Sequence, residues 1–162
     1  MVGKPTIFSF FEVENQRLEC SEPVADIYVE SSKLTAVEIK GEAIPRLIDE
    51  IPILAVAACL AKGTTIIRDA GELRVKESDR ITTTIEGLLR FGARVEALSD
   101  GMVIHGDSFL QGADVTSYSD HRLAMSFAVA GLVAKGKTVV EKPQAAEISY
   151  PEFWATLENL AR

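Results

Sequence analysis

IDEIPILAVAACLAKGTTII, from Ile48 to Ile67, and HRLAMSFAVAGLVAKGKTVV, from His121 to Val140, superimpose without a gap. Gly63 falls on Gly136, Ala61 on Ala134, Lys62 on Lys135 and Asp49 on Arg122. Each segment reads as a polar start, an apolar helix of about three turns, a glycine past its end and a β-branched strand. An internal match of this kind signals a fold assembled from repeated supersecondary units. A second match supports it. Arg17-Leu-Glu, with the strand around Asp26-Ile-Tyr-Val, resembles Arg94-Val-Glu with Gly101-Met-Val-Ile-His.

The middle of the chain shows a fuller unit. Thr64 to Arg68 reads as a strand. Ser78 to Phe91 reads as a helix with Ile81, Ile85, Leu88 and Leu89 on one apolar face, closed by Gly92. A strand from Arg94 to Ala97 and another from Met102 to His105 flank the turn signal Asp100-Gly101. A helix from about His121 to Ala134, a strand from Thr138 to Val140 and a helix from about Pro151 to Ala161 complete the pattern. The expected class is α/β (α+β), with helices packed against β-sheets. Before Arg17 only about eight residues, Thr6 to Val13, suit a helix, so the first copy reads as cut short at its amino-terminal end. We therefore expect a trimmed domain with a partial unit over about 1–47 and further units over about 48–120 and 121–162.

Composition narrows the function. The 162 residues are 47% hydrophobic and 25% charged, which fits one globular domain rather than a disordered or low-complexity chain. No apolar run approaches the roughly 20 residues of a membrane span. The net charge of −7 shows no basic face for nucleic acid, so an anionic ligand needs a local cluster of Lys and Arg. Cys20 and Cys59 form no CxxC pair, and His105 and His121 have no metal-ligand spacing, so neither a zinc site nor a disulfide framework is expected. With this cysteine usage, a reducing, cytoplasmic address is the simplest reading.

Three clusters carry candidate chemistry, and each has a plainer reading beside it. Arg74-Val-Lys-Glu-Ser-Asp-Arg80 lies at a strand-to-helix junction, where Lys76 and Arg80 share a face if the helix starts early. It is either an anion site at a helix amino-terminus or a solvated, salt-bridged surface. Ser119-Asp-His-Arg122 opens a helix, with Asp120 or Ser119 as N-cap and His121 and Arg122 projecting from the first turn. Asp49 is itself an N-cap candidate, with Pro52 tolerated in the first turn. The repeat sets Asp49 and Arg122 at equivalent helix starts, which would bring an acid, the Lys-Glu-Arg group and the His-Arg pair to one rim of the fold. Such a rim suits proton transfer on a doubly anionic substrate.

Leu73–Ile81 (LRVKESDRI), Ser119–Phe127 (SDHRLAMSF), Ile48–Ala58 (IDEIPILAVAA) and Ser149–Trp154 (SYPEFW) together resemble the carboxy-terminal half of the EPSP synthase (3-phosphoshikimate 1-carboxyvinyltransferase) family. The resemblance spans about Leu18 to Arg162. It implies repeated βαβαββ units of an enolpyruvyl transferase-like domain, with the active site in a cleft against an amino-terminal domain. It implies transfer of the enolpyruvyl group of phosphoenolpyruvate to the 5-hydroxyl of shikimate 3-phosphate, with release of phosphate and no metal or organic cofactor.

By motif position, Asp49 matches the carboxylate on the 5-hydroxyl, assigned as proton acceptor, and Glu77 the proton donor to the methylene carbon. Lys76 matches a substrate lysine, and Arg80 and Arg122 the arginines on phosphoenolpyruvate, with His121 beside them. Glu72 stands where some members carry an asparagine, and Glu147-Ile-Ser-Tyr150 where some have a lysine. Half of the implied site belongs to the amino-terminal domain, so this chain alone is expected to be inactive. The competing readings are a UDP-N-acetylglucosamine enolpyruvyl transferase and a non-catalytic α/β binding module.

Overall fold

The structure, a computed structural model, describes residues 11–30 and 32–161. Strands β1 (Phe11–Glu19) and β2 (Glu22–Val29) form an antiparallel hairpin with a register shift between Glu14 and Arg17. A four-stranded sheet follows in the order β3 (Glu38–Ile39), β4 (Thr64–Ile67), β6 (Gly101–His105), β5 (Arg94–Leu98). The last sheet pairs β7 (Asp114–Thr116) with β8 (Val139–Glu141).

The helices are α1 (Ile44–Leu47), α2 (Ile51–Leu60), α3 (Arg80–Arg90), α4 (His121–Val133) and α5 (Phe153–Leu160). Chain order from β3 to β6 thus spells one βαβαββ unit: a parallel pair β3–β4 joined through α2, then α3 and an antiparallel hairpin. The chain continues as β7–α4–β8, again a parallel pair joined by a helix.

The repeat is visible in the backbone. Thr35 bridges Lys62 and Gln111 bridges Lys135, both in parallel sense. Helices α2 and α4 end at Ala61 and Ala134 with nearly the same extended conformation (ψ 147° in both). Gly63 (φ 101°) and Gly136 (φ 103°) then turn the chain into the strand. Sequence reading gave those glycines the task of ending the helices; the alanines end them, and the glycines act two residues later. Gly92 (φ 80°) does close α3 directly. Its N–H donates to Leu89 O, and Ala93 N–H to Leu88 O, the bond pattern of a Schellman cap. The pairing sets the opening strands β3 and β7 ahead of the helices at which the sequence repeat begins.

The main core lies between the four-stranded sheet and α2, α3 and α4, where Ile51, Cys59, Ile67, Leu88, Phe91, Met102 and Phe127 are buried. α2 is apolar along almost its whole length because it packs between the sheet and α4. α3 buries Ile81, Ile85 and Leu88, whereas Leu89, expected on that face, is 50% exposed. Gly87 lies on the same helix because the Phe127 ring sits where its side chain would be: an added Cβ would come within 2.1 Å of that ring. Of the helix expected over Thr6–Val13, residues 11–13 belong to β1 instead, and the remainder falls outside the described residues. No helix among the described residues is long and apolar enough to cross a membrane.

Candidate active site

The amino-terminal ends of α2, α3 and α4 carry the charged motifs and meet at one edge of the core. Asp49 sits in a 3-10 turn, Ile48–Glu50, that leads into α2. Pro52 near the helix start lacks the N–H that a cap would satisfy. Asp49 is therefore not the N-cap that its sequence context suggested, and its carboxylate is left for side-chain partners. At α3 the cap is Asp79, whose carboxylate accepts from the Thr82 N–H at 3.1 Å. α3 begins only at Arg80, so Lys76, in the preceding loop, shares no helix face with it. At α4 Asp120 is the cap, accepting from the Arg122 and Leu123 N–H groups at 2.8 and 3.4 Å. Tyr118 (φ 54°) and Ser119 (φ 63°) are both left-handed, a costly conformation for non-glycine residues, and they set the angle at which Asp120 enters the helix.

Arg80 is the centre of the cluster. Its guanidinium is 1% exposed. Nε donates to Asp120 Oδ2 at 2.8 Å, Nη1 to Asp49 Oδ1 at 2.9 Å and Nη2 to Glu77 Oε2 at 2.6 Å. The structure thus draws Asp49, Glu77 and Asp120 together on one guanidinium rather than leaving Arg80 projecting toward solvent.

Lys76 Nζ stands 3.8 Å from Asp49 and 3.0 Å from Glu72. Arg122 approaches Asp49 at 4.0 Å and Glu50 at 2.6 Å. His121, half-buried in the first turn of α4, has no hydrogen-bond or ion-pair partner among the described residues.

These neighbours bias the titrating groups. Partial burial pushes the Asp49 carboxyl up. The hydrogen bond from Arg80 and the charges of Lys76, Arg80 and Arg122 outweigh that, and its pKa falls below the usual carboxylate value. The hydrogen bond to Glu72 raises the Lys76 ammonium, with Asp49 adding to it. Burial works against the Arg80 charge, but Asp120, Glu77 and Asp49 more than compensate. The cluster is therefore ionised throughout neutral pH at the groups that shift, with alternating charge rather than one sign.

Asp120, Glu50, Glu72 and Ser78, which donates to Asp120 at 3.1 Å, are members that sequence reading did not assign to the site. Asp120 was legible as a cap; its pairing with Arg80 joins residues 40 apart and leaves no local signal. Among the described residues no group of three or more His, Cys, Asp or Glu side chains is placed to hold a metal ion.

This mixed α/β architecture is that of solved EPSP synthases, which have an enolpyruvyl transferase fold. A family model, EPSP synthase (3-phosphoshikimate 1-carboxyvinyltransferase), matches residues 13–157. This chain belongs to the EPSP synthase family. It is 58% identical over 150 residues to the 3-phosphoshikimate 1-carboxyvinyltransferase of Roseiflexus sp. (strain RS-1), covering 93% of this chain and 35% of that protein. The corresponding protein of Gloeobacter violaceus is 59% identical over 150 residues, 93% of this chain and 34% of that one. A solved EPSP synthase from Acinetobacter baumannii superimposes with a TM-score of 0.87 at 37% identity, over 93% of this chain and 36% of that chain. The chain spans about a third of the length of the curated relatives it matches.

Proposed function

We propose that this chain forms one wall of an active site that transfers the enolpyruvyl group of phosphoenolpyruvate to the 5-hydroxyl of shikimate 3-phosphate. In that reaction the hydroxyl oxygen bonds to C2 of phosphoenolpyruvate while C3 takes up a proton, giving a tetrahedral intermediate. Loss of a proton from the new methyl group and departure of phosphate restore the double bond.

Asp49, ionised below the usual range, is the acceptor for the hydroxyl proton; its lowered basicity is offset by holding the reacting pair in place. Glu77 is the donor to C3. Lys76 and Arg122, with His121 beside them, supply positive potential for the phosphate and carboxylate of the substrates. Arg80, the second arginine assigned to phosphoenolpyruvate, reaches it only by exchanging a carboxylate for the substrate.

The observation that carries this reading is that Asp49 and Glu77 lie on opposite forks of one guanidinium, at 2.9 and 2.6 Å. Two carboxylates so held, with Lys76 and Arg122 also beside Asp49, supply a proton acceptor and a donor within one substrate's reach. An amino-terminal domain of the same enzyme provides the facing wall, and a cytoplasmic address belongs to the same proposal. The experiment is to measure phosphate release from the two substrates. The chain alone should be inactive; the chain joined to the amino-terminal two-thirds of the Roseiflexus relative should turn over. Silence of the properly folded joined protein would defeat the reading.

A further inference from the structure

We propose that Glu50 competes with the anionic ligand for Arg122 and so sets the affinity of this site for a phosphate- or carboxylate-bearing substrate. The proposal deepens the functional reading above and rests on it. Arg122 is held at Nη1 by Glu50 at 2.6 Å, while its Nη2 lies at the outer limit of contact with Asp49 at 4.0 Å. Its Nε is buried and has no hydrogen-bond partner among the described residues. An unpaired buried donor on a cation is costly. This rotamer therefore does not satisfy the guanidinium best, and the Glu50 contact is what holds it. An anion that draws Arg122 away gives Nε a partner as Glu50 loses one.

At Arg122, position singles out Glu50 as the group that must give way. Five carboxylates (Asp49, Glu50, Glu72, Glu77, Asp120) face three cations (Lys76, Arg80, Arg122), so an incoming anion meets a net negative cluster. Asp120 is fully buried and fixed by Arg80, Ser78 and the start of α4. Asp49 and Glu77 are tied to Arg80, and Glu72 to Lys76. Glu50 is exposed, caps no helix through its side chain and has Arg122 as its charged partner. It can swing into water at little cost; Glu72 is also exposed, but its partner is Lys76 and not Arg122.

The test titrates the 162-residue chain with phosphoenolpyruvate and, separately, with inorganic phosphate. Binding is followed by calorimetry and by the Arg122 Nε–H resonance in the parent, Glu50→Gln and Glu50→Asp proteins. Glu50→Gln should tighten phosphoenolpyruvate binding by about three- to fivefold, the scale of a half-exposed ion pair. Glu50→Asp keeps the charge but draws the carboxylate back from Nη1, so it should tighten binding in the same direction and shift the Nε–H resonance before ligand is added. Unchanged or weaker binding in Glu50→Gln overturns the proposal, as does absence of binding in all three proteins. Tightening in Glu50→Gln alone also overturns it, because bulk charge then explains the effect. Equal tightening toward both ligands leaves the competition intact while withdrawing support for phosphoenolpyruvate as the ligand, so the two readings fail separately.

Discussion

The guanidinium of Arg80 and the carboxylate of Asp120 lie 2.8 Å apart with side chains 1% and 0% exposed, which makes them a buried ion pair between the first residue of α3 and the cap of α4. Removing water from two charges is expensive, and only their mutual attraction and additional hydrogen bonds offset it. Asp120 meets that condition through Ser78 and two backbone N–H groups, and Arg80 through Asp49 and Glu77. Asp120→Ala should therefore destabilise the fold by about 3–5 kcal/mol, because it leaves Arg80 Nε without its buried partner and α4 without its cap. Arg80→Met in the same protein should recover part of that loss. Denaturant unfolding of the single and double variants measures it; strict additivity would mean the two groups do not act as a pair.

The cap of α3 makes the acid limb of stability predictable. Partial burial pushes the Asp79 carboxyl up, but the Thr82 N–H and hydroxyl and the Arg74 guanidinium outweigh it, so the folded-state pKa lies below the ordinary 3.8. A depressed carboxyl stabilises the fold fully above its unfolded value and loses that contribution as pH falls through the folded one. Asp79→Asn should retain much of the cap yet flatten the fall in stability below pH 3.8. Asp79→Ala should cost about 1 kcal/mol at neutral pH. Urea midpoints across acidic pH separate the two variants.

At the alkaline end the controlling contact joins Tyr118 to α3. Its hydroxyl donates to Glu86, and that bond, with burial and the carboxylate's charge, raises the phenol above 10.0. A raised phenol contributes stability below its unfolded pKa, and the contribution disappears as pH rises through the folded value. Tyr118→Phe should therefore cost about 1 kcal/mol at neutral pH, with the difference from the parent closing above pH 10.0. A difference that persists undiminished at high pH would show that ring packing, not the hydroxyl, carries the effect.

Gly87 tests the contact between α3 and α4. In an open helix, Gly→Ala gains about 1 kcal/mol of propensity. Here the new methyl would meet Phe127 Cζ at 2.1 Å, and that ring is fully buried, with Phe91 at 6.2 Å between centroids. Gly87→Ala should be net destabilising, with overpacking of about 1–3 kcal/mol exceeding the propensity gain. Phe127→Leu should lessen the penalty if the clash is the cause, which thermal unfolding of the pair would register.

How much of this was readable in the sequence divides along a physical line. The matched segments at Ile48 and His121 gave the α2–β4 and α4–β8 units, because apolar periodicity and β-branched runs are written locally. The gathering of Asp49, Glu77 and Arg122 followed from equivalent repeat positions. The turn at Ile48–Glu50 ahead of α2 was not legible: Asp49 shortly before a Pro-containing helix start looks like a cap, yet α2 begins only at Ile51 and the Asp49 carboxylate goes to Arg80. The inward turn of Arg80 was likewise hidden. Its partners lie 31 and 40 residues away, and an Arg at a helix start reads the same whether it faces solvent or a carboxylate. The left-handed pair Tyr118-Ser119 gave no signal, since neither residue is a glycine or an asparagine.

The two carboxylates on Arg80 should separate in a kinetic experiment on the joined, complete protein. A group that moves a proton in the transition state contributes about 100-fold or more, and its loss lowers kcat without a matching rise in KM. Glu77→Gln keeps the shape of the side chain and its contact with Arg80, so it should lower kcat by about that factor with substrate affinity nearly kept. Asp49→Asn should lower kcat similarly and also alter affinity, because Asp49 balances Lys76, Arg80 and Arg122 together. Freed of that carboxylate, Lys76 and Arg122 would bind a phosphate-bearing ligand more tightly even as turnover falls. Stopped-assay phosphate release at varied substrate concentration gives both parameters. If both variants turn over like the parent, the acids on Arg80 are ion-pair partners alone, and the cluster holds the fold together rather than performing chemistry.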